Sequence, residues 1–185
     1  KAQLVFEDTP FYAEKGGQVG DKGIIRDTDG NLVGRVVDTQ VAPAGQNLHF
    51  VETIEPLKIG ENYRLEVNIL RRMLIERNHT ATHLLHQALK DVVGPHVNQA
   101  GSLVTADHLR FDFTHLEQVT SEQLEEIENI INEKIWEAHP VETTVTSLDK
   151  ARQMGAMALF GEKYGEVVRG VSIDDYSIEL CGGTH

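Results

Sequence analysis

The sequence predicts an α+β protein in which a small N-terminal β-barrel or curled sheet packs on a two-layer α/β domain with an antiparallel sheet. Three observations support this fold class. Short apolar runs separated by turn signals fill residues 1–68, apolar residues then recur at helical spacing, and a second helix follows among further strand-like runs. Hydrophobic residues make up 40% of the 185-residue chain, which is enough for a real core.

The N-terminal part is predicted to be β structure because its apolar runs are rich in Val, Ile and Phe. These runs are "GIIRDTDGNLVGRVVDTQV", "NLHFVET" and "YRLEVNI", and the Asp-Gly pair in "DTDGN" indicates a hairpin. The apolar period changes near residues 68–72. We therefore predict a barrel subdomain over residues 1–69 and a second domain over residues 70–185, and we expect the two to pack together because no long linker separates them.

Two helices are predicted in the second domain. Apolar residues recur at helical spacing from Leu70 to Val92, and a Gly-Pro pair ends this pattern. A second helix begins near Thr120, which has Gln123 as a capping-box partner, and stops at Pro140. The strand-like runs around the helices are "GSLVT", "LRFDF", "VETTVTSL", "EVVRGVSI" and "YSIELC". We expect the helices to cover one face of a mainly antiparallel sheet.

The net charge of −12 argues against a broad basic face that would bind duplex phosphates. A module that receives only the end of a strand needs no more than a local positive patch. The run "LRRMLIER", with Arg71, Arg72 and Arg77, is the candidate for such a patch, and a solvated helix face is the alternative interpretation.

The ends and the cysteine content indicate the setting of the chain. One cysteine cannot form an internal disulfide, no apolar run reaches membrane-spanning length, and the N-terminus lacks a signal-peptide pattern. We therefore expect a cytoplasmic protein without a membrane partner. Because the sequence starts at Lys1 and stops at His185, we also expect it to be a piece of a longer polypeptide.

Four residues form a candidate metal site. The segment "RNHTATHLLH" places His79 and His83 four residues apart and so on one helix face, and "ELCGGTH" adds Cys181 and His185. One Cys and three His match the ligand types and number that tetrahedral Zn²⁺ takes, and the two glycines allow a tight turn between the last two ligands. The alternative is that the paired histidines are ordinary surface or core residues.

The sequence leaves the role of this metal open. Four protein ligands usually mark a closed structural site, unless one ligand is displaced by substrate or the metal only orients a substrate group. The helix lacks the glutamate of the HExxH zinc proteases, and no phosphate-binding or nucleophile-elbow motif is present. Thr82 is expected close to the ligand face, although it can instead bond back to the preceding turn. We interpret His86 as a surface histidine rather than a residue supporting the metal site.

Five segments together resemble the editing region of bacterial alanyl-tRNA synthetase and its free-standing relatives. They are "TPFYAEKGGQVGDKG", "RNHTATHLLHQAL", "HVNQAGSLVTADHLRFDFTH", "GAMALFGEKYGEVVR" and "ELCGGTH". The match runs along nearly the whole chain in the order of the family. One departure is Lys15, where many relatives have Ser before the two glycines.

The resemblance implies a function and a set of site residues. In that family the region hydrolyses the ester of tRNA(Ala) mischarged with serine or glycine, so the implied partners are the acceptor end of that tRNA and the other domains of an ATP-dependent synthetase chain. The implied zinc ligands are His79, His83, Cys181 and His185. The implied pocket residues are Thr82 and Gln99 for catalysis and Gly16, Gly17, Gln18 and Ser102 for substrate binding.

Three alternatives remain beside this interpretation. The editing domain of threonyl-tRNA synthetase also carries a two-histidine helix, but it ends in a different segment and lacks the "FYAEKGGQ" barrel. A free-standing protein that edits in trans shares both parts of the chain. A module that binds the tRNA end without hydrolysis, stabilised by zinc, belongs to a different functional class.

Overall fold

A computed structural model describes residues 1–157 and 165–185. The central residues of the "GAMALFGEKYGEVVR" motif, 158–164, lie outside the described residues. The described elements are β1 (Ala2–Val5), β2 (Gly23–Arg26), β3 (Leu32–Val41), β4 (Asn47–Thr53), β5 (Arg64–Val67), α1 (Ile69–Val92), β6 (Gln99–Val104), β7 (Leu109–Phe113), α2 (Ser121–Glu137), β8 (Val141–Ser147), α3 (Leu148–Gln153), β9 (Val167–Ile173) and β10 (Ser177–Leu180).

The first five strands form one antiparallel sheet in the order β1-β4-β3-β2-β5. The predicted hairpin joins β2 to β3, with Gly30 at a positive φ of 88° in its turn. The predicted closed barrel is not found, because the described residues show no ladder between β1 and β5. Instead the sheet curls, so that Leu4 of one edge strand and Leu65 of the other pack against one core cluster. This cluster consists of Phe11, Ile25, Val33, Val36 and Val51.

Helices α1 and α2 form where the apolar period predicted them. The Asn68 side chain caps α1 by accepting from Arg71 N, and Thr120 and Gln123 form the predicted capping box of α2. Their shared core contains Ala88, Leu89, Val97 and Ile127. The short helix α3 was not predicted, and Ser147 caps it.

The strands of the second half form two antiparallel sheets rather than the single sheet that we expected. β6 pairs only with β7 among the described strands, whereas β8, β9 and β10 form a separate sheet in the order β10-β9-β8. The physical reason is the position of α1, which contacts β6 and β7 as well as β10 and so lies between the two sheets. This arrangement brings the middle of α1 close to the end of β10.

The two parts of the chain pack together, as expected. The loop before β2 pairs with β6, because Val104 N donates to the carbonyl of Gly17 and Val19 N donates to that of Val104. Arg72 of α1 forms an ion pair with Asp21, a carboxylate that is 1% exposed. The first turns of α1 do not join a core as their pattern predicted, since Leu70 remains 77% exposed.

No helix in the described part of the chain combines the length and the hydrophobicity that crossing a membrane requires.

Candidate functional site

The four predicted metal ligands come together in the structure. His79 and His83 lie one turn apart on α1, and Cys181 and His185 lie just after β10. Their ligand atoms all lie within 4.8 Å of one another. Cys181 Sγ is 3.4 Å from His79 Nε2 and 3.4 Å from His185 Nε2. The two helix histidines are buried, at 6% and 4% exposure.

The donor set and the two distances from the Cys181 sulfur fit a tetrahedral zinc ion. Zinc bonds of about 2.3 Å to sulfur and about 2.0 Å to nitrogen place two neighbouring ligand atoms roughly 3.5 Å apart. The sulfur to nitrogen distances of 3.4 Å agree with this value. A thiolate together with imidazoles also suits zinc better than it suits a hard cation such as Mg²⁺.

Hydrogen bonds from outside the cluster orient these imidazoles. His79 Nδ1 is 2.8 Å from the side-chain oxygen of Gln18, and His185 Nδ1 is 3.1 Å from the hydroxyl of Thr80. Gln18 is itself held by Thr184, whose backbone N–H donates to the same oxygen and whose hydroxyl lies 2.9 Å from the amide nitrogen. A partner at Nδ1 leaves Nε2 facing the cluster, which is the usual way in which proteins orient metal-binding histidines.

Arg169 of β9 holds the segment that carries the last two ligands. Its Nη1 donates to the carbonyl oxygens of Cys181, at 2.9 Å, and Gly183, at 2.8 Å. The backbone N–H of Cys181 in turn donates to the carbonyl of Arg169. Gly183 packs so closely on the ring of His79 that a Cβ at this position would overlap the ring. The "CGGTH" segment is therefore fixed on β9 and on α1.

Burial keeps the clustered imidazoles neutral in the folded chain. It lowers the pKa of His79 to about 3, and the neighbouring charges of His83 and Arg169 act in the same direction. The pKa of His185 falls to about 2 for the same reason, with contributions from His79, His83 and Arg169. Burial also lowers the pKa of His83, although the carboxylate of Glu179 opposes the shift. Neutral imidazole is the form that binds a metal ion.

A pH dependence follows for the chain without metal. In the unfolded state an imidazole titrates near pH 6.5, whereas His79 in the folded state titrates near pH 3. Between these values the unfolded state binds more protons, so the free energy of unfolding is expected to decrease as the pH falls from about 6.5 towards 3. Urea unfolding of the metal-free chain at several pH values measures this, and His79→Gln should weaken the dependence. A midpoint that stays constant below pH 6.5 contradicts the prediction.

The cluster of the four candidate metal ligands, hereafter the metal cluster, opens onto a pocket of about 400 Å³. Seven of the predicted site residues line it, namely Gly16, His79, Thr82, His83, Gln99, Ser102 and Cys181. The hydroxyl of Thr82 donates to the carbonyl of Asn78 at 2.8 Å, so the bond back to the preceding turn is present. The Gln99 amide has no side-chain hydrogen bond to any residue that the structure describes, and it is available to a ligand.

The remaining predicted site residues lie behind the pocket. Gln18 is fully buried and supports His79, while Gly17 lies against the backbone of Ser102. At a φ of 86° and with the Ser102 carbonyl 2.6 Å from an added Cβ, position 17 accepts only glycine without strain. His185 completes the cluster without lining the pocket.

Two interpretations of charged residues are corrected. His86 is not a surface histidine, because it is 3% exposed and its Nδ1 lies 2.9 Å from Glu179. The run "LRRMLIER" is neither a free positive patch nor a fully solvated helix face, because two of its three arginines have partners within the protein. Arg71 donates to the carbonyl of Gly20, and Arg72 contacts Asp21 and the carbonyl of Pro10. The physical reason is that the helix face carrying them packs on the loop before β2.

Sequence reasoning missed several residues around the pocket. Glu179, Arg169 and Lys15 all line it, and Glu179 is a carboxylate with only 5% exposure. Glu179 stands two positions before Cys181 in "ELCGGTH", and this short distance in the sequence is the feature that indicates a place near the ligands. The role of Arg169 could not be predicted from the sequence, because it binds backbone carbonyls, which every residue has.

Comparison with known proteins agrees with the resemblance seen in the motifs. Residues 1–71 match the family model of class II (A) tRNA synthetases. The whole chain is 62% identical to a segment of an alanine–tRNA ligase from Lactococcus lactis subsp. lactis, and it spans 21% of that protein. It is 62% identical to the alanine–tRNA ligase of Enterococcus faecalis and 60% identical to that of Streptococcus sanguinis, and it spans 21% of the length of each.

The chain matches a segment of alanine–tRNA ligases over its whole length. It spans about a fifth of the length of the curated relatives that it matches. Identity of 62% extends over all 185 residues, so the metal cluster and the pocket lie within the alanine–tRNA ligase match, although the class II family model ends at residue 71.

Proposed function

We propose that this segment of an alanine–tRNA ligase hydrolyses the aminoacyl ester of tRNA(Ala) that carries serine or glycine, with zinc as its metal. The observation that supports this best is that three of the four clustered ligand residues line the same pocket as Thr82 and Gln99. A metal cluster that only stabilised the fold would not need to open onto a cavity large enough for an aminoacyl group.

The physical need for such a site lies in the similarity of the amino acids. A pocket sized for alanine cannot exclude glycine by size, and serine differs from alanine by one hydroxyl, so a single binding step gives limited discrimination. A second site that accepts the wrong products and rejects the right one solves this problem. Polar groups that pair with the serine hydroxyl would remain unpaired against the methyl group of alanine.

Thr82 and Gln99 are suited to this selection. Because the Thr82 hydroxyl donates its proton to the Asn78 carbonyl, its oxygen can only accept, and a serine hydroxyl can donate to it. The amide of Gln99 offers both a donor and an acceptor at the pocket wall. Glycine has no hydroxyl, so its removal depends on its small size and not on Thr82.

The reaction requires attack of water on the ester carbonyl. The bond between the carbonyl carbon and the ribose oxygen breaks, which releases the amino acid and leaves tRNA with a free terminal hydroxyl. A bound zinc would act as a Lewis acid and orient the aminoacyl group or the water. Burial in the folded chain lowers the pKa values of the His79 and His185 imidazoles and so keeps them neutral. Thr82 and Gln99 line the pocket, where they can contact the side chain of the amino acid.

The other partners belong to the same proposal. Lys15 and Arg169 give the pocket lining two cationic side chains in a chain of net charge −12, which suits the phosphates at a tRNA acceptor end. The rest of the ligase would supply ATP-dependent aminoacylation and most of the tRNA contact. A cytoplasmic location fits the single cysteine and this partner.

A second candidate function rests on the number of ligands. Four protein ligands fill the coordination of a tetrahedral zinc, which is typical of a structural site. In that case the segment would bind the tRNA end without hydrolysis. Single-turnover deacylation of Ser-tRNA(Ala) and Ala-tRNA(Ala) at saturating protein separates the two: faster release of serine supports editing, and no release of serine supports the binding module.

Replacing Thr82 with valine tests the selection step. Valine keeps the shape of threonine but removes the oxygen that would accept from serine, at an expected cost of about 1–3 kcal/mol, or roughly 5- to 150-fold in serine release. Ala-tRNA(Ala) should be affected little, so the ratio of the two rates decreases. Thr143→Val, at an exposed position of β8 outside the pocket, is the matched control. An unchanged ratio in the Thr82 variant would assign selection to other residues.

A further inference from the structure

Glu179 is a buried carboxylate between two histidines of α1. Its Oε1 lies 2.9 Å from His86 Nδ1 and its Oε2 lies 3.3 Å from His83 Nδ1. The residue belongs to β10, is 5% exposed and lines the pocket. Neither the metal ligand set nor the selection of serine accounts for its presence.

A carboxylate buried to this degree is costly unless both of its oxygens have partners. In the described part of the chain, Oε1 has a hydrogen bond with His86 Nδ1, whereas Oε2 faces His83 Nδ1 at 3.3 Å in an ion-pair contact without hydrogen-bond geometry. The two histidines are three residues apart and so share one face of α1. When His83 directs Nδ1–H to the carboxylate, its other nitrogen, Nε2, carries the lone pair that a metal ion needs.

His86 has a defined place in this arrangement. It is 3% exposed, its ring packs against Phe111 with centroids 5.1 Å apart, and its Nε2 has no hydrogen-bond partner among the described residues. Its Nδ1 contact to Glu179 is therefore the polar contact that ties this ring to the rest of the site. Because this is the only polar contact of the buried ring among the described residues, we infer that His86 serves to hold the Glu179 carboxylate in place.

We propose that Glu179 is a positioning residue of the metal centre: it holds His83 in the tautomer and orientation that binds the ion, and His86 holds Glu179. This inference rests on the metal site of the proposed function but does not depend on hydrolysis. Histidines that bind metal commonly donate their second N–H to a carboxylate, and loss of that partner typically weakens metal binding by about 10- to 100-fold.

Zinc affinity of the purified chain tests the proposal directly. Competition with a chromophoric chelator gives the dissociation constant of the wild type and of Glu179→Gln, which keeps the shape but removes the charge. Glu142→Gln on β8, an exposed glutamate, is the matched control. We expect weakening of about 10- to 100-fold for Glu179→Gln and none for the control. Cobalt substitution should also change the visible spectrum of Glu179→Gln, because the His83 ligand is reoriented.

Two substitutions of His86 keep the proposal testable if Glu179→Gln does not fold. Asparagine places an amide N–H near the position of Nδ1 and can still donate to Glu179, whereas leucine fills the space without a donor. We expect His86→Asn to retain zinc affinity better than His86→Leu. Thermal unfolding of the metal-free variants separates a general loss of stability from an effect on the metal.

The outcomes are distinct. Wild-type affinity for zinc in both Glu179→Gln and His86→Leu would overturn the proposal and leave the metal site intact. Equal losses in His86→Asn and His86→Leu would show that packing, not the hydrogen bond, matters, and would also overturn it. If the wild-type chain itself binds no zinc, the metal part of the proposed function fails together with this inference.

Discussion

Replacing Cys181 with alanine is expected to remove the metal from the chain and to stop serine release. Its sulfur lies 3.4 Å from the Nε2 atoms of both His79 and His185, so it is central to the cluster. Loss of an outer-shell partner alone costs about 10- to 100-fold in metal affinity, so loss of this direct ligand should cost more than about 100-fold. Zinc content after dialysis and single-turnover release of serine measure the two effects.

Reconstitution provides the control for this experiment. Wild-type protein stripped with a chelator should regain one zinc per chain and its activity when zinc is added back, whereas Cys181→Ala should regain neither. Retention of one zinc per chain by the variant would show that the three histidines suffice. Activity that persists in a metal-free variant would instead show that hydrolysis does not use the metal.

The second large effect is expected for Gly183→Ala. A methyl group at this position would overlap the His79 ring and lie 2.8 Å from the Gln18 side-chain oxygen, and neither neighbour can move freely. Gln18 is fully buried, and His79 is held between Gln18 and Cys181. Relief of this overlap must displace His79 or the "CGGTH" segment. Loss of a hydrogen-bond partner behind a metal-binding histidine weakens metal binding by about 10- to 100-fold, and we expect Gly183→Ala to weaken zinc binding by at least as much.

Gly182→Ala is a nearly ideal control for this prediction. It is the neighbouring glycine in the same segment, and a Cβ there would meet no atom within 4 Å. Zinc affinity and thermal stability of Gly182→Ala should therefore match the wild type. Similar losses in both variants would indicate that the segment needs flexible backbone at both positions, and would contradict the steric explanation at position 183.

Local patterns predicted much of the fold and the four residues that the structure brings together in one His/Cys cluster. Apolar period and capping residues are properties of consecutive residues, so α1 and the capping box at Thr120 followed from the sequence. The four-residue spacing of His79 and His83 likewise fixes them on one helix face. The separation of the second half into two sheets depends on where α1 lies, which no local pattern contains.

The residues that support the site were harder to predict. Gln18 was expected to touch substrate, but the structure places it behind His79, because the direction of its side chain depends on Thr184 at the other end of the chain. His86 was expected on the surface because its partner, Glu179, lies on a strand distant in sequence. Such roles arise from tertiary contacts, and a single sequence records them only as isolated polar residues.

The contact between Thr80 and His185 joins residues 105 positions apart, next to the metal cluster that draws on the same two segments. A bound ion would therefore act as a cross-link between the first helix and the last residues of the chain. Closing a loop of this length costs conformational entropy, and the unfolded chain has no assembled site. At a free zinc concentration 1,000 times the dissociation constant, coupling to the folded state adds about 4.1 kcal/mol of stability. Zinc supply would thereby set the fraction of the domain that is folded.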